Sequence, residues 1–218
     1  MQAGRPTAFP LRSAPSMQPM PSLGLWGIMS IQQGRPKYGF LLFDCPSDHE
    51  IEGSLVTECE VIKAVLSNRK LGSQLKVLRC ASTEAFNNLP QRPYRGIRFV
   101  HLGGHGSSDG LGLIGGHLSW DEVAQCIYSV LPNLNNGELR VLTLSCCHSS
   151  TGAKKMKKKL APYFTGIYYF VPDKIAFSRA ITVWSMFYLK KKLDRPHKAV
   201  VDTINKFLGK EIIAFMEP

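Results

Sequence analysis

The sequence predicts an α/β fold, a three-layer sandwich with a mostly parallel central sheet and helices on both faces. Beyond residue 38, short apolar runs of strand length alternate with segments of helical periodicity, the order that builds parallel sheets through crossover helices. The strand-length runs are apolar throughout rather than at every second position, as expected of strands covered on both faces. The chain has 218 residues, 44% of them hydrophobic, enough to bury the core of one domain. No apolar run reaches the roughly 18 residues of a membrane span.

The elements follow in order. YGFLLFD (38–44) is the first strand, ended by CPSD. In 54–68, Leu55, Cys59, Ile62 and Leu66 recur at spacings of three and four, one apolar helix face with Ser54 as its expected N-cap. LKVLRC (75–80) is a strand, 83–89 a short helix, and GIRFVHLGG (96–104) the third strand. LGLIGGHLSW reads as a glycine-punctuated hairpin, after which Ser119 caps a helix over 120–131. LRVLTLSCC (139–147), a lysine-rich helix near 152–161, the strand GIYYFV (166–171) and helices near 174–193 and 196–208 complete the pattern.

Residues 1–37 contain four basic residues, no acid and six prolines. They read as a disordered or non-native leader, with Met20 and Met29 as alternative starts. Residues 38–218 are then the single folded domain. The six cysteines have neither zinc-ribbon spacing nor the density of a disulfide scaffold, which points to a reduced, cytoplasmic protein. The net charge of +11 first suggests an anionic partner. It is concentrated in the leader, in AKKMKKKL and in Lys190, Lys191 and Lys192. These runs carry almost no interleaved aromatics, so they read as solvated faces and argue against nucleic acid.

In parallel sheets, reactive groups gather beyond the carboxyl ends of the strands. Two ends stand out: FVHLGGHGSSDG and VLTLSCCHSS. In the first, His105 is set among Gly103, Gly104 and Gly106, whose backbone is open to close approach. In the second, a cysteine precedes a helix whose positive end favours a thiolate. His105 and Cys147 lie 42 residues apart, one strand-helix-strand unit, so neighbouring strands would bring them together as a dyad.

A hydrophobic block ending in His-Gly, followed by another ending in a small residue and Cys, resembles the caspase-like (clan CD) cysteine peptidases. The nearest match is their CHAT-domain branch, whose blocks read like HFAAHG and LSACETG. HLGGHG and LSCCHSS align with these, and GIYYFVPDKIAFSRAITVWSMFYLKKKL is similar to the downstream CHAT stretch; the resemblance spans roughly 38–208. His148 stands where the family has Glu, and Ser150 where it often has Gly.

The resemblance implies a thiol protease with Cys147 as nucleophile, His105 as its acid and base, and the backbone N–H groups of Gly106 and Cys147 as oxyanion hole, with no cofactor and no metal. An acidic pocket would select substrates cleaved after a basic residue. The candidates are Asp173, which matches a CHAT-branch aspartate and could instead cap the next helix, Asp44 or Asp48 after the first strand, and Asp109 beside His105. The resemblance further implies a protein substrate, a regulatory partner or homodimer, and a role in bacterial antiviral defence or cell suicide. A catalytically silent caspase-like scaffold is the alternative.

Other patterns in the same segments carry less. Gly110, Gly112 and Gly115 spell G-x-G-x-x-G, but strand, glycines and helix are not contiguous. Gly106, Ser108 and Gly110 spell G-x-S-x-G without a helix directly after the serine. Zinc on Cys146, Cys147, His148 and His105 would need adjacent ligands that chelate poorly. Cys45, Cys59, Cys80 and Cys126 read as core residues and His101 as a packing residue; His117 and His197 read as surface or turn positions. The choice of Cys147 over Cys146 rests on the family alignment, and strand alternation sends only one of them into a site.

Overall fold

The computed structural model describes residues 39–46, 57–71, 74–89, 93–135, 137–192 and 194–218. The leader, Ser54 and Asp48 lie outside the described residues. The chain forms β1 (Gly39–Cys45), α1 (Glu58–Asn68), β2 (Leu75–Arg79), α2 (Thr83–Asn87), β3 (Ile97–Gly106), β4 (Gly110–Leu113), β5 (Gly116–Ser119), α3 (Trp120–Ser129), β6 (Val141–Ser145), α4 (Ser149–Leu160), β7 (Gly166–Phe170), α5 (Phe177–Lys190), α6 (His197–Leu208) and β8 (Ile213–Met216). The main sheet runs β2-β1-β3-β6-β7-β8. All its pairs are parallel except β7 with β8. The expected hairpin is β4–β5, which continues β3 away from that sheet.

Alternation along the strands builds two cores. Leu41 and Phe43 of β1, Val100 and Leu102 of β3 and Leu142 and Leu144 of β6 pack with α2, α3 and α4, through Phe86, Trp120, Ile127, Met156 and Leu160. Phe40, Leu42, Phe99, Val141 and Tyr168 face the other way, onto Ile62 and Leu66 of α1, Trp184, Phe187 and Tyr188 of α5, and Val200 and Ile204 of α6. Each such side chain contributes roughly 1.5–3 kcal/mol by leaving water, so the sheet is fastened from both sides. Among the described residues no helix is long and apolar enough to cross a membrane.

Several boundaries differ from the periodicity reading. α1 is capped by Thr57, whose side chain accepts from the Glu60 N–H while the Glu60 carboxylate accepts from the Thr57 N–H. This reciprocal box sets the first turn. β3 runs on through His105 and Gly106, because the hairpin pairs with them: His105 opposes Gly112 and Gly106 opposes Leu111. The short antiparallel β8 is an additional strand at the sheet edge. His197 is half-buried, stacked on Phe215 with centroids 4.0 Å apart and 2.7 Å from the Tyr168 hydroxyl. Burial lowers its pKa to about 4, so the ring is uncharged at neutral pH.

One buried cation holds three segments together. Arg140, 1% exposed, donates to the carbonyls of Ile97 at 2.9 Å, Pro132 at 2.9 Å and Tyr163 at 3.0 Å. Arg140→Leu leaves those acceptors buried and unpaired, and should lower the unfolding free energy by about 3 kcal/mol. Urea denaturation followed by circular dichroism measures it; an unchanged midpoint would contradict this role.

Candidate active site

The two strand ends meet because β3 and β6 are hydrogen-bonded neighbours in one register. Phe99 pairs with Val141, His101 with Thr143 and Gly103 with Ser145, so each partner lies 42 positions on. His105 and Cys147 continue that offset, each two residues beyond the Gly103–Ser145 pair. Alternation then puts His101, Gly103 and His105 of β3 on the same side as Thr143 and Ser145, the side covered by α1 and α5, and Cys147 lies in the turn two residues past the end of β6. On β1, Leu42 pairs with His101 and Asp44 with Gly103. The outcome is a cavity of about 140 Å³ into which both His105 and Cys147 open.

Backbone approach fixes the contact between the two loops. A Cβ on Gly106 would lie 2.2 Å from the Cys147 carbonyl oxygen and 3.1 Å from the Cys146 Cβ and Sγ, so only glycine fits there. Trp120 links the same loops from below. Its indole N–H donates to the Ser107 carbonyl at 3.2 Å, and its ring lies so close to α4 that a Cβ on Gly152 would approach it to 2.9 Å. The residue that follows the histidine loop and the helix that follows the cysteine are thus seated on one side chain.

Cys147 sits in the bend between β6 and α4. His148, with φ 53° and ψ 24°, takes the left-handed conformation that turns the chain into the helix, which costs an ordinary residue about 1–2 kcal/mol. The bend is tied down by the His148 N–H, which donates to the Asp173 carbonyl at 2.6 Å. The Asp173 carboxylate lies 3.7 Å from His148 Nδ1. Among the described residues the Cys147 N–H donates to no backbone carbonyl, which leaves it available at the N-terminus of α4. Cys147 Sγ lies 4.0 Å from the Ile175 carbonyl oxygen.

The cysteines are distinguished by where they sit. Burial pushes the thiols of Cys45, Cys59, Cys126 and Cys146 above their ordinary range and that of Cys80 up to about 12. Such thiols stay protonated and unreactive at neutral pH. Cys146 points into the core beneath α3 and α4, whereas Cys147 is half-buried and His105 exposed. Both nevertheless line the cavity and both lie past the end of β6 at Ser145, so burial rather than strand alternation distinguishes them.

The acidic candidates divide. Asp44, 8% exposed, lines the cavity. The cavity lining does not include Asp173 or Asp109. Asp173 is exposed beside His148 and does not cap α5, whose N-cap is Ala176. Asp109 is exposed in the turn where Ser107 Oγ accepts from the N–H groups of Asp109 and Gly110, both at 3.2 Å.

A second carboxylate in the cavity escapes the sequence reading. Glu58, 7% exposed, opens α1 and turns inward. Its Oε1 accepts from Ser145 Oγ at 2.8 Å, and its Oε2 lies 3.4 Å from His101 Nε2. His101 is fully buried, with Nδ1 2.8 Å from Thr143 Oγ1, which in turn is 3.1 Å from the Tyr188 hydroxyl. It packs edge-on against Trp184 and Tyr188. His101 therefore does pack, but it also joins a polar chain beneath the cavity. No protein-family model matches the chain, and no curated protein matches its sequence.

The glycine contact is testable without any assay of turnover. Gly106→Ala forces backbone apart and should cost about 2 kcal/mol of stability. Gly112→Ala, on the paired strand, places its Cβ 3.5 Å from the nearest atom and should cost less than about 1 kcal/mol. Equal urea midpoints for the two variants would contradict the proposed contact.

Proposed function

We propose that the chain is a cysteine endopeptidase of the caspase-like, CHAT-domain kind, with Cys147 and His105 as its dyad. The observation that carries the reading is the shared register of β3 and β6, which sets a half-buried thiol and an imidazole at one cavity beyond the carboxyl ends of adjacent parallel strands. A thiol needs no third residue to be activated by such a base.

In this mechanism the Cys147 thiolate attacks the scissile carbonyl, forming a C–S bond, and His105 gives its proton to the departing amine as the C–N bond breaks. Water, deprotonated by His105, then adds to the acyl-enzyme and expels the thiolate. The N–H groups of Gly106 and Cys147 would stabilise the oxyanion, and the close fit of Gly106 against the Cys147 carbonyl supports that placement. With His105 exposed and Cys147 half-buried, the pair is accessible to an extended peptide.

Asp44 in the cavity wall supports a preference for a basic residue before the scissile bond. The substrate is a protein, and a regulatory partner or a second copy of the chain would govern access to it. All six cysteines are free, including Cys45 and Cys80 at the ends of adjacent strands, which supports a reducing, cytoplasmic setting. An effector role in bacterial defence rests on the family resemblance alone.

Cleavage of fluorogenic peptides carrying Arg, Lys, Asp or Leu before the reporter tests this function. Arg and Lys substrates should be hydrolysed, with kcat/KM reduced more than about 1,000-fold in Cys147→Ala and in His105→Ala and less than about tenfold in Cys146→Ala. Cleavage that survives Cys147→Ala would overturn the assignment, and a preference for Asp or Leu would overturn the specificity.

A further inference from the structure

The turn that carries Cys147 is gripped from one side. Cys147 Sγ lies 4.0 Å from the Ile175 carbonyl oxygen, the His148 N–H donates to the Asp173 carbonyl at 2.6 Å, and Ser149 Oγ accepts from the Phe170 N–H at 2.9 Å. Three successive residues thus meet, in reverse order, the end of β7 and the connection that leads to α5. Ser149 is fully buried and is the first residue of α4. The start of that helix cannot drift from β7 without leaving the Phe170 N–H unpaired, which is costly at a buried site.

His148 is the strained link in this series. Its φ of 53° and ψ of 24° are left-handed, and among the described residues Lys70 is the one other non-glycine residue with a positive φ. Strain of this kind persists where the surroundings over-determine it, and it gathers at functional sites. Glycine would hold the same turn at no steric cost. Histidine adds a ring, and its Nδ1 lies 3.7 Å from the Asp173 carboxylate. Asp173 pairs with no other cation among the described residues. The two side chains are 29% and 66% exposed, so the pair adds little to overall stability. Its effect on geometry can be far larger, because misplacing a reacting group by about 1 Å can slow a reaction about 100-fold. Neither side chain lines the cavity, so the pair acts on Cys147 through the turn.

We propose that His148 is a positioning residue for the nucleophile: by pairing with Asp173 it holds the β7–α5 connection against the left-handed turn and so sets the Cys147 thiol for His105. The inference rests on the reading of Cys147 as nucleophile. It gives Asp173 a task in geometry rather than in selecting the substrate.

Three variants, assayed with a peptide carrying arginine before the scissile bond, test the proposal. His148→Gly keeps the turn and removes the ring; its urea midpoint should not fall, while kcat drops at least about tenfold and KM stays within about threefold. His148→Asp introduces a residue that tolerates the same turn but sets two carboxylates face to face, and should also lose at least about tenfold in kcat. Adding Asp173→His to that variant exchanges the partners and restores a pair of opposite sign, and kcat should return to within about threefold of the unaltered protein. Full activity in His148→Gly, a urea midpoint that falls along with its kcat, or no recovery in the exchanged pair would overturn the proposal. Alkylation of Cys147 by iodoacetamide, read by mass spectrometry, makes the same comparison without turnover: it should slow at least about threefold in His148→Asp and recover in the exchanged pair. If the unaltered protein neither cleaves the peptide nor shows alkylation of Cys147 that depends on His105, the dyad reading fails and takes this inference with it. A working dyad indifferent to the His148 variants removes only the role of His148.

Discussion

The parallel pairing of β3 with β6 is the constraint on which the rest of the site depends. A constant offset of 42 positions across five successive pairs carries the two strand ends out of the sheet side by side, and the absence of a side chain at Gly106 lets the following backbones touch. Everything at the cavity inherits this geometry. Which face His105 presents, and which row of residues lies next to it, follow from strand alternation once the register is set. Substitutions that change register would rearrange the site wholesale, whereas substitutions in the helices would act only through packing.

The two faces of the sheet then do different work. Toward α2, α3 and α4 the strands present Leu, Val and Phe, an apolar core that anchors Cys146 and Trp120. Toward α1 and α5 the carboxyl halves of the strands become polar, with Thr143, Ser145, His101 and Asp44 buried beside an aromatic layer of Trp184, Phe187 and Tyr188. A buried polar chain of this kind is stable only when its members are satisfied. The hydrogen bonds from Ser145 to Glu58 and between His101 and Thr143 meet that requirement, and they leave the floor of the cavity rigid rather than adaptable.

The architecture was legible because it is written in local patterns. Apolar runs at 38–44, 96–104, 139–147 and 166–171 and the intervening helical periodicities sufficed for layers and order, and Ser119 is a cap that sequence alone identifies. The juxtaposition of His105 with Cys147 was legible for a related reason, since their spacing equals one strand-helix-strand unit. Glu58 was not. At the first turn of a helix an acidic residue ordinarily serves the backbone N–H groups and faces water, and only the packing of α1 across the β1–β3–β6 row turns this one inward. The polar role of His101 was hidden similarly, because alternation says which face a strand residue takes but not what waits there. β8 escaped because IAFM is four residues long and its pairing is a tertiary event, and the pairing of Asp173 with His148 because it depends on a left-handed turn that no local propensity predicts.

The central claim is that one thiol among six is a nucleophile activated by its neighbour's register. The most direct measurement treats the intact protein with a peptidyl arginine acyloxymethyl ketone, which alkylates a thiolate only when a catalytic site has bound and oriented it, and maps the adduct by mass spectrometry. A single adduct, on Cys147, lost when His105 is replaced by alanine, is the predicted result. An adduct on Cys146 or on any of the buried cysteines, or labelling of Cys147 that is indifferent to His105, would contradict it.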